Sequence, residues 1–186
     1  MTAQLTVLAI AGSLRRLSYN AAALRAAQEL APAGMTIEIF DQLGDIPLYD
    51  EDLREKGLPP AVETLRARIK AADGLLIATP EYNYSVPGVL KNAIDWASRP
   101  PEQPFDGKPI ALLGASPGGF GTVRAQLHLR QVFIYLNGLV LSRPEVMIPQ
   151  AHAKFDADGR LTDEKTREFL QALLVSFKAW IERSPR

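Results

Sequence analysis

Three short segments concentrate the glycine, proline, hydroxyl and aromatic residues of this chain that are suited to hold a ligand. The first is Gly12-Ser13-Leu14-Arg15-Arg16-Leu17-Ser18-Tyr19-Asn20, which follows an apolar run and opens an amphipathic one. Gly12 permits a sharp turn, and the side chains of Ser13, Ser18 and Asn20 donate to phosphate oxygens. Arg15 supplies positive charge, and the free N–H groups of a starting helix point the same way. That donor set suits a terminal phosphomonoester. The competing reading is an ordinary strand-to-helix turn, capped by Ser18, with solvated arginines. The segment has neither the G-x-G-x-x-G of a dinucleotide site nor the G-x-x-x-x-G-K of a nucleoside triphosphate site.

The second segment, Thr79-Pro80-Glu81-Tyr82-Asn83-Tyr84-Ser85-Val86-Pro87-Gly88, reads as a stiff turn carrying exposed rings, which suits a planar partner. In the third, Ser116-Pro117-Gly118-Gly119-Phe120-Gly121-Thr122, the glycines let backbone approach a flat ligand and donate to its carbonyls. Gly114-Ala115-Ser116-Pro117-Gly118 also satisfies the G-x-S-x-G of serine hydrolases, with Glu145 and His152 following in hydrolase order. Pro117 argues against that reading. The oxyanion hole uses the N–H just after the nucleophile, proline has none, and one such donor is worth ~3 kcal/mol. With no cysteine and only His128 and His152, no thiolate nucleophile, iron–sulfur cluster or metal site is expected. His128 reads as a packing or interface residue, and Asp41 as solvent-exposed.

The elements that must hold these segments follow from hydrophobic periodicity. Gln4 to Ala11, Thr36 to Phe40, Gly74 to Thr79, Pro109 to Ala115 and Leu139 to Met147 read as strands. The first, third and fourth are almost continuously apolar, as expected of strands buried on both faces. Helices are expected at Asn20 to Leu30, Pro60 to Ala72, Pro87 to Ala97, Thr122 to Leu136 and Asp163 to Glu182. Pro87 and Gly88 suggest a proline in a first turn, and Thr162 a cap ahead of acidic Asp163 and Glu164. The last helix gathers Phe169, Leu170, Leu173, Leu174, Phe177, Trp180 and Ile181 on the face expected to pack on the sheet. Such alternation predicts a five-stranded parallel sheet of order 2-1-3-4-5 with helices on both faces, because each parallel return needs a crossover. The three segments then lie at one sheet edge, beside the point where strand order reverses. No repeat or linker is seen, and 186 residues with 47% hydrophobic content suit a single domain spanning 1–186. The 21 basic and 21 acidic residues balance, so no global field draws the chain to nucleic acid or to an anionic membrane. Met1-Thr2-Ala3-Gln4 lacks a basic n-region and no apolar run approaches ~18 residues, so a cytoplasmic location is expected.

G-S-L-R-x-x-S-x-N at Gly12 to Asn20, T-P-E-Y-N-Y-S-x-P-G at Thr79 to Gly88, Leu90-Lys91-Asn92-Ala93-Ile94-Asp95-Trp96 and the glycine segment together resemble the NAD(P)H-dependent FMN reductases. Within that group the chain is most similar to the bacterial quinone and chromate reductases, from about Leu5 to about Met147. The resemblance implies a flavodoxin-like fold, FMN as cofactor and NAD(P)H as co-substrate. It further implies acceptors that include quinones, azo compounds and chromate. Carried over by position, it puts the FMN phosphate on Ser13, Arg15, Ser18 and Asn20. The ring would lie along Pro80, Glu81, Tyr82 and Asn83, with Ser116, Gly118 and Gly119 on its other side. Pro117 departs from many relatives. No catalytic acid or base is assigned, since FMN carries the redox chemistry and a ping-pong exchange of substrates follows. Tyr82 and Tyr84 would either gate the ring or pack against another subunit. The resemblance also implies a homodimer or homotetramer, here expected to meet through Pro87 to Ala97 and Thr122 to Leu136, with Arg124, Arg130 and Glu145 as candidate ion-pair partners. An electron carrier without its own substrate is the other reading of such a flavin site. Its common mark, a strongly acidic docking face, does not agree with zero net charge.

Overall fold

Small and branched apolar residues alternate along the central strands, and each parity of side chain meets a different helical layer. A computed structural model describes residues 4–184, so the reading of Met1 to Ala3 lies outside the described residues. In chain order the elements are β1 (Leu5–Ala11), α1 (Tyr19–Glu29), β2 (Met35–Phe40), α2 (Glu51–Glu55), α3 (Pro60–Ala71), β3 (Gly74–Ala78) and α4 (Gly88–Ala97). Then follow β4 (Pro109–Ala115), α5 (Val123–Tyr135), β5 (Leu139–Val140), β6 (Val146–Ile148) and α6 (Glu164–Arg183). The sheet is parallel throughout, in the order β2-β1-β3-β4-β5, with β6 also on β4. Val7, Ala9, Leu76, Ala78, Ala111 and Leu113 join one core under α1 and α6. Leu8, Ile10, Leu75, Ile77, Ile110 and Leu112 join the other, under α3, α4 and α5. Ala22, Ala23, Ala26 and Ala27 let α1 lie close to the sheet. On the opposite side, fully buried Trp96 donates its indole N–H to Pro47 O at 2.9 Å.

The expected fifth strand is two short ones. β5 pairs with Pro109 and Ile110, the chain leaves the ladder, and β6 rejoins opposite Leu113 to Ala115. Pro144, which has no N–H for a ladder, lies in the excursion. Arg130 stabilises the break from α5: its guanidinium donates to Leu141 O at 3.0 Å and lies 3.6 Å from Glu145.

Helix starts also differ from expectation. Asp163, rather than Thr162, caps α6, accepting the N–H of Thr166 at 3.0 Å. Hydrogen bonds from the Thr166 hydroxyl and the Lys154 ammonium hold its carboxyl down at about 2. Pro87 is the extended residue before α4, and Gly88 is its first helical residue. Phe169 leaves the packed face of α6 and is 54% exposed, while Leu170, Leu173, Leu174, Phe177 and Ile181 are buried. The short α2 had no periodic signal, because five residues do not complete an amphipathic repeat.

Candidate functional site

β1, β3 and β4 end side by side, and the three ligand-suited segments leave from their carboxyl ends. Gly12 N–H donates to Ala78 O at 2.8 Å, Thr79 N–H to Leu113 O at 2.9 Å, and Ser116 N–H to Ile148 O at 3.0 Å. Order reverses between β1 and β3, which is where an open α/β sheet leaves a crevice. A Cβ at Gly12 would stand 3.0 Å from Leu90 of α4, 3.2 Å from Pro80 and 3.3 Å from Pro87, so a side chain there would have to push back the second segment and α4. Their hydroxyls also meet, with Ser13 Oγ 3.4 Å from the Tyr82 hydroxyl.

In the first segment Ser18 caps α1, its hydroxyl oxygen accepting the N–H of Ala21 at 3.3 Å and keeping its hydrogen to donate. Ser13 Oγ accepts the N–H of Arg15 at 3.3 Å, and Arg15 is exposed beside the Tyr19 ring. Among the described residues no carboxylate pairs with Arg15. Asn20 is engaged differently from the expectation. Its amide donates to Ala115 O at 3.0 Å and its carbonyl accepts Ala115 N–H at 2.9 Å, which leaves at most the second amide hydrogen for a ligand. Buried Asn20 therefore ties the start of α1 to the end of β4.

Glu81, expected along a ring, turns its carboxylate to the start of α5. It accepts the N–H of Arg124 at 2.9 Å and of Ala125 at 3.2 Å, and pairs with the Arg124 guanidinium at 2.9 Å. Burial pushes the Glu81 carboxyl up, but the Arg124 side chain and the two backbone donors outweigh it and hold the group below its usual value. Only the backbone of Glu81 is left free to meet a ligand. Beyond it, Tyr82 and Ser85 exchange backbone hydrogen bonds around Asn83 (φ 48°) and Tyr84 (φ 67°). Two successive positive φ values mark a type I′ hairpin turn, which is costly for a tyrosine. Contacts from outside fix it: Ser13 at Tyr82, the His128 ring 3.0 Å from Ser85 Oγ, and Arg124 over Tyr84. His128 is thus exposed and engaged with this turn, while Asp41 is exposed as expected.

In the third segment Ser116 Oγ accepts Gly118 N–H at 3.1 Å, and the carbonyls of Ser116 and Gly118 accept from Ala151 and Gln150. A Cβ at Gly119 would meet nothing within 4 Å, and one at Gly118 only Ser116 Oγ at 3.5 Å. That open backbone is what a flat ligand needs, and the hydroxyls, guanidinium and helix start of the first segment supply what a phosphate needs. The residues present therefore fit FMN: Ser13, Arg15 and Ser18 for the phosphate, with Pro80, Tyr82, Asn83, Ser116, Gly118 and Gly119 around the ring. Arg124 was expected only as an ion-pair partner between subunits, and Phe120, although within the third segment, was given no role of its own. Arg124 lies 43 residues from its partner Glu81, and no local pattern signals that pairing.

Such a sheet, with donors suited to a phosphate after its first strand and open or aromatic walls after its third and fourth, has the architecture of a flavodoxin-like mononucleotide-binding protein. A model of the family described as NADPH-dependent FMN reductase matches residues 5–153. An NAD(P)H-dependent FMN reductase of Pseudomonas aeruginosa is 60% identical over 183 residues, covering 98% of both chains. A quinone reductase of Escherichia coli is 44% identical over 185 residues, again covering 98% of each. The solved flavoenzyme NAD(P)H:(acceptor) oxidoreductase of Paracoccus denitrificans superposes with a TM-score of 0.87 at 42% identity, over 97% of this chain and 98% of that one. The chain belongs to the NADPH-dependent FMN reductase family.

Proposed function

We propose that the chain is an FMN-dependent NAD(P)H:quinone reductase whose net reaction is NAD(P)H + H⁺ + quinone → NAD(P)⁺ + hydroquinone. The observation that carries this reading is the convergence of a phosphate-type segment and two ring-lining segments at one switch point, with Ser13 and Tyr82 in contact. Bound FMN supplies the redox chemistry, accepting a hydride and delivering two electrons. The chain's own residues bind and orient. Ser13, Arg15 and Ser18 hold the phosphate, while Asn20 fixes the start of α1 against β4. Pro80 to Asn83 carry the ring on one side, and Ser116, Gly118 and Gly119 carry it on the other. No side chain is assigned as acid or base.

Donor and acceptor use the same open face in turn, so the kinetics are ping-pong, and parallel double-reciprocal plots are the expected signature. Azo compounds and chromate belong to the proposal as further acceptors. The chain acts as one FMN-binding domain, in a cytoplasmic homodimer or homotetramer. Exposed Ile134 and Tyr135 on α5, beside a cleft lined by Lys91, Ile94, Asp95, Gln131 and Val132, support a contact through α4 and α5. Arg124, Arg130 and Glu145 already have partners within the chain, so an ion pair between subunits through them must compete with those contacts. No helix of the described residues is long and apolar enough to cross a membrane. The test is NAD(P)H oxidation by the FMN-loaded protein with a quinone. Turnover is expected, and none would favour an electron carrier.

A further inference from the structure

We infer that Phe120 and Tyr84, held in place by Arg124, form a wall that selects planar uncharged acceptors over oxyanions. The inference rests on the quinone reductase reading and adds the residues that set its selectivity. The Arg124 guanidinium carbon lies 3.9 Å from the Tyr84 ring centroid and 4.5 Å from that of Phe120. One cation thus stacks on two rings from two different loops. Both rings are otherwise exposed, Tyr84 by 67% and Phe120 by 66%. Phe120 follows Gly118 and Gly119 directly, and Tyr84 follows Tyr82 and Asn83, so the pair borders both segments assigned to the flavin ring. The charge of Arg124 is compensated by Glu81 at 2.9 Å, and its side chain is only 27% exposed. An approaching acceptor therefore meets two exposed rings and a cation already paired with Glu81. Such rings stack a flat quinone, whereas tetrahedral chromate has no face to lay on them and finds no unpaired cation to hold it. Exposed rings of this kind also suit a subunit contact, and the same experiment separates the two.

The experiment uses FMN-loaded wild type, Phe120→Ala, Tyr84→Ala and Phe120→Tyr. Calorimetry gives the Kd of menadione for the oxidised holoprotein, where no electron donor is present and no reaction follows. NADPH-driven turnover then compares menadione with ferricyanide, which needs no stacking surface and consumes two equivalents per NADPH, and with chromate. Losing a stacking ring should raise the menadione Kd roughly tenfold and lower the menadione-to-ferricyanide ratio of kcat/KM by a similar factor. The menadione-to-chromate ratio should fall in the same direction, and Phe120→Tyr, which keeps a ring, should restore the Kd. An unaltered menadione Kd in both alanine variants would overturn the inference, as would equal loss for all three acceptors. A fall in mass by light scattering without a change in Kd would assign the rings to a subunit contact instead. Absence of NADPH oxidation by wild type with any acceptor would instead refute the underlying function.

Discussion

A methyl group at Gly114 would stand 1.8 Å from Thr122 Oγ1 and 2.4 Å from Thr79 O, in a place where neither strand nor helix start has slack. Gly114→Ala is expected to cost about 3 kcal/mol in chemical denaturation, the upper end of ordinary overpacking. Asn20→Ala removes two buried hydrogen bonds to Ala115 and should cost about 2 kcal/mol. Glu81 gives a pH prediction. Its folded-state pKa lies below the ordinary glutamate value of 4.5, so its contribution is complete above that pH and is lost as pH falls through the lowered value. Glu81→Gln should therefore flatten the acid side of the stability profile below about pH 4.5 and leave its neutral slope alone. Asn20 was read as a phosphate donor from its loop, and Glu81 was placed along the ring by the resemblance; neither reading anticipated the hydrogen bonds these side chains make within the chain. Those intrachain partners are 95 and 43 residues away, a separation no local pattern encodes. Arg15 has no such partner among the described residues, and its sequence reading stands as a proposal. Arg15→Ala should weaken FMN roughly tenfold or more while sparing riboflavin, which lacks the phosphate.

The central strands were legible because burial on both faces writes a continuous apolar run, and β4 matches its expected limits, Pro109 to Ala115. The edge was less legible. Leu139 to Met147 is apolar enough to read as one strand, yet the chain leaves the ladder near Pro144, and the break is satisfied by a side chain from α5. Arg130→Met should therefore speed amide exchange at Leu141 and Val146 to Ile148 by roughly tenfold, the effect of one lost charge-assisted bond, with little change in β1 or β3. Uniform acceleration across the sheet would show that Arg130 serves global stability instead. Cap identity was similarly ambiguous, since Thr162 and Asp163 are adjacent and both are good cap residues. The carboxylate of Asp163 reaches Thr166 N–H and also pairs with Lys154, which gives it the position.

Across the molecule, a sheet with two cores positions a candidate site that is mostly backbone, glycine and ring surface, with charge confined to the first segment and to the paired Arg124 and Glu81. Continuous apolar runs alternating with helical repeats made the fold readable, and the loop compositions picked out the three segments that the sheet brings to one edge. The lateral bracing of the loops, by Arg124, His128 and Asn20, was not, because it depends on which helices the fold brings alongside. The exposed apolar residues of α5 give a prediction for the assembly: light scattering at micromolar concentration should return a dimer or tetramer, and a monomer would remove that part of the proposal. The central claim, that the convergent loops hold FMN by phosphate and ring together, is tested most directly by titrating cofactor-stripped protein with FMN and with riboflavin while following flavin fluorescence. The account predicts one FMN per chain, bound at least roughly tenfold more tightly than riboflavin. No FMN binding, or equal affinity for the two flavins, would contradict it.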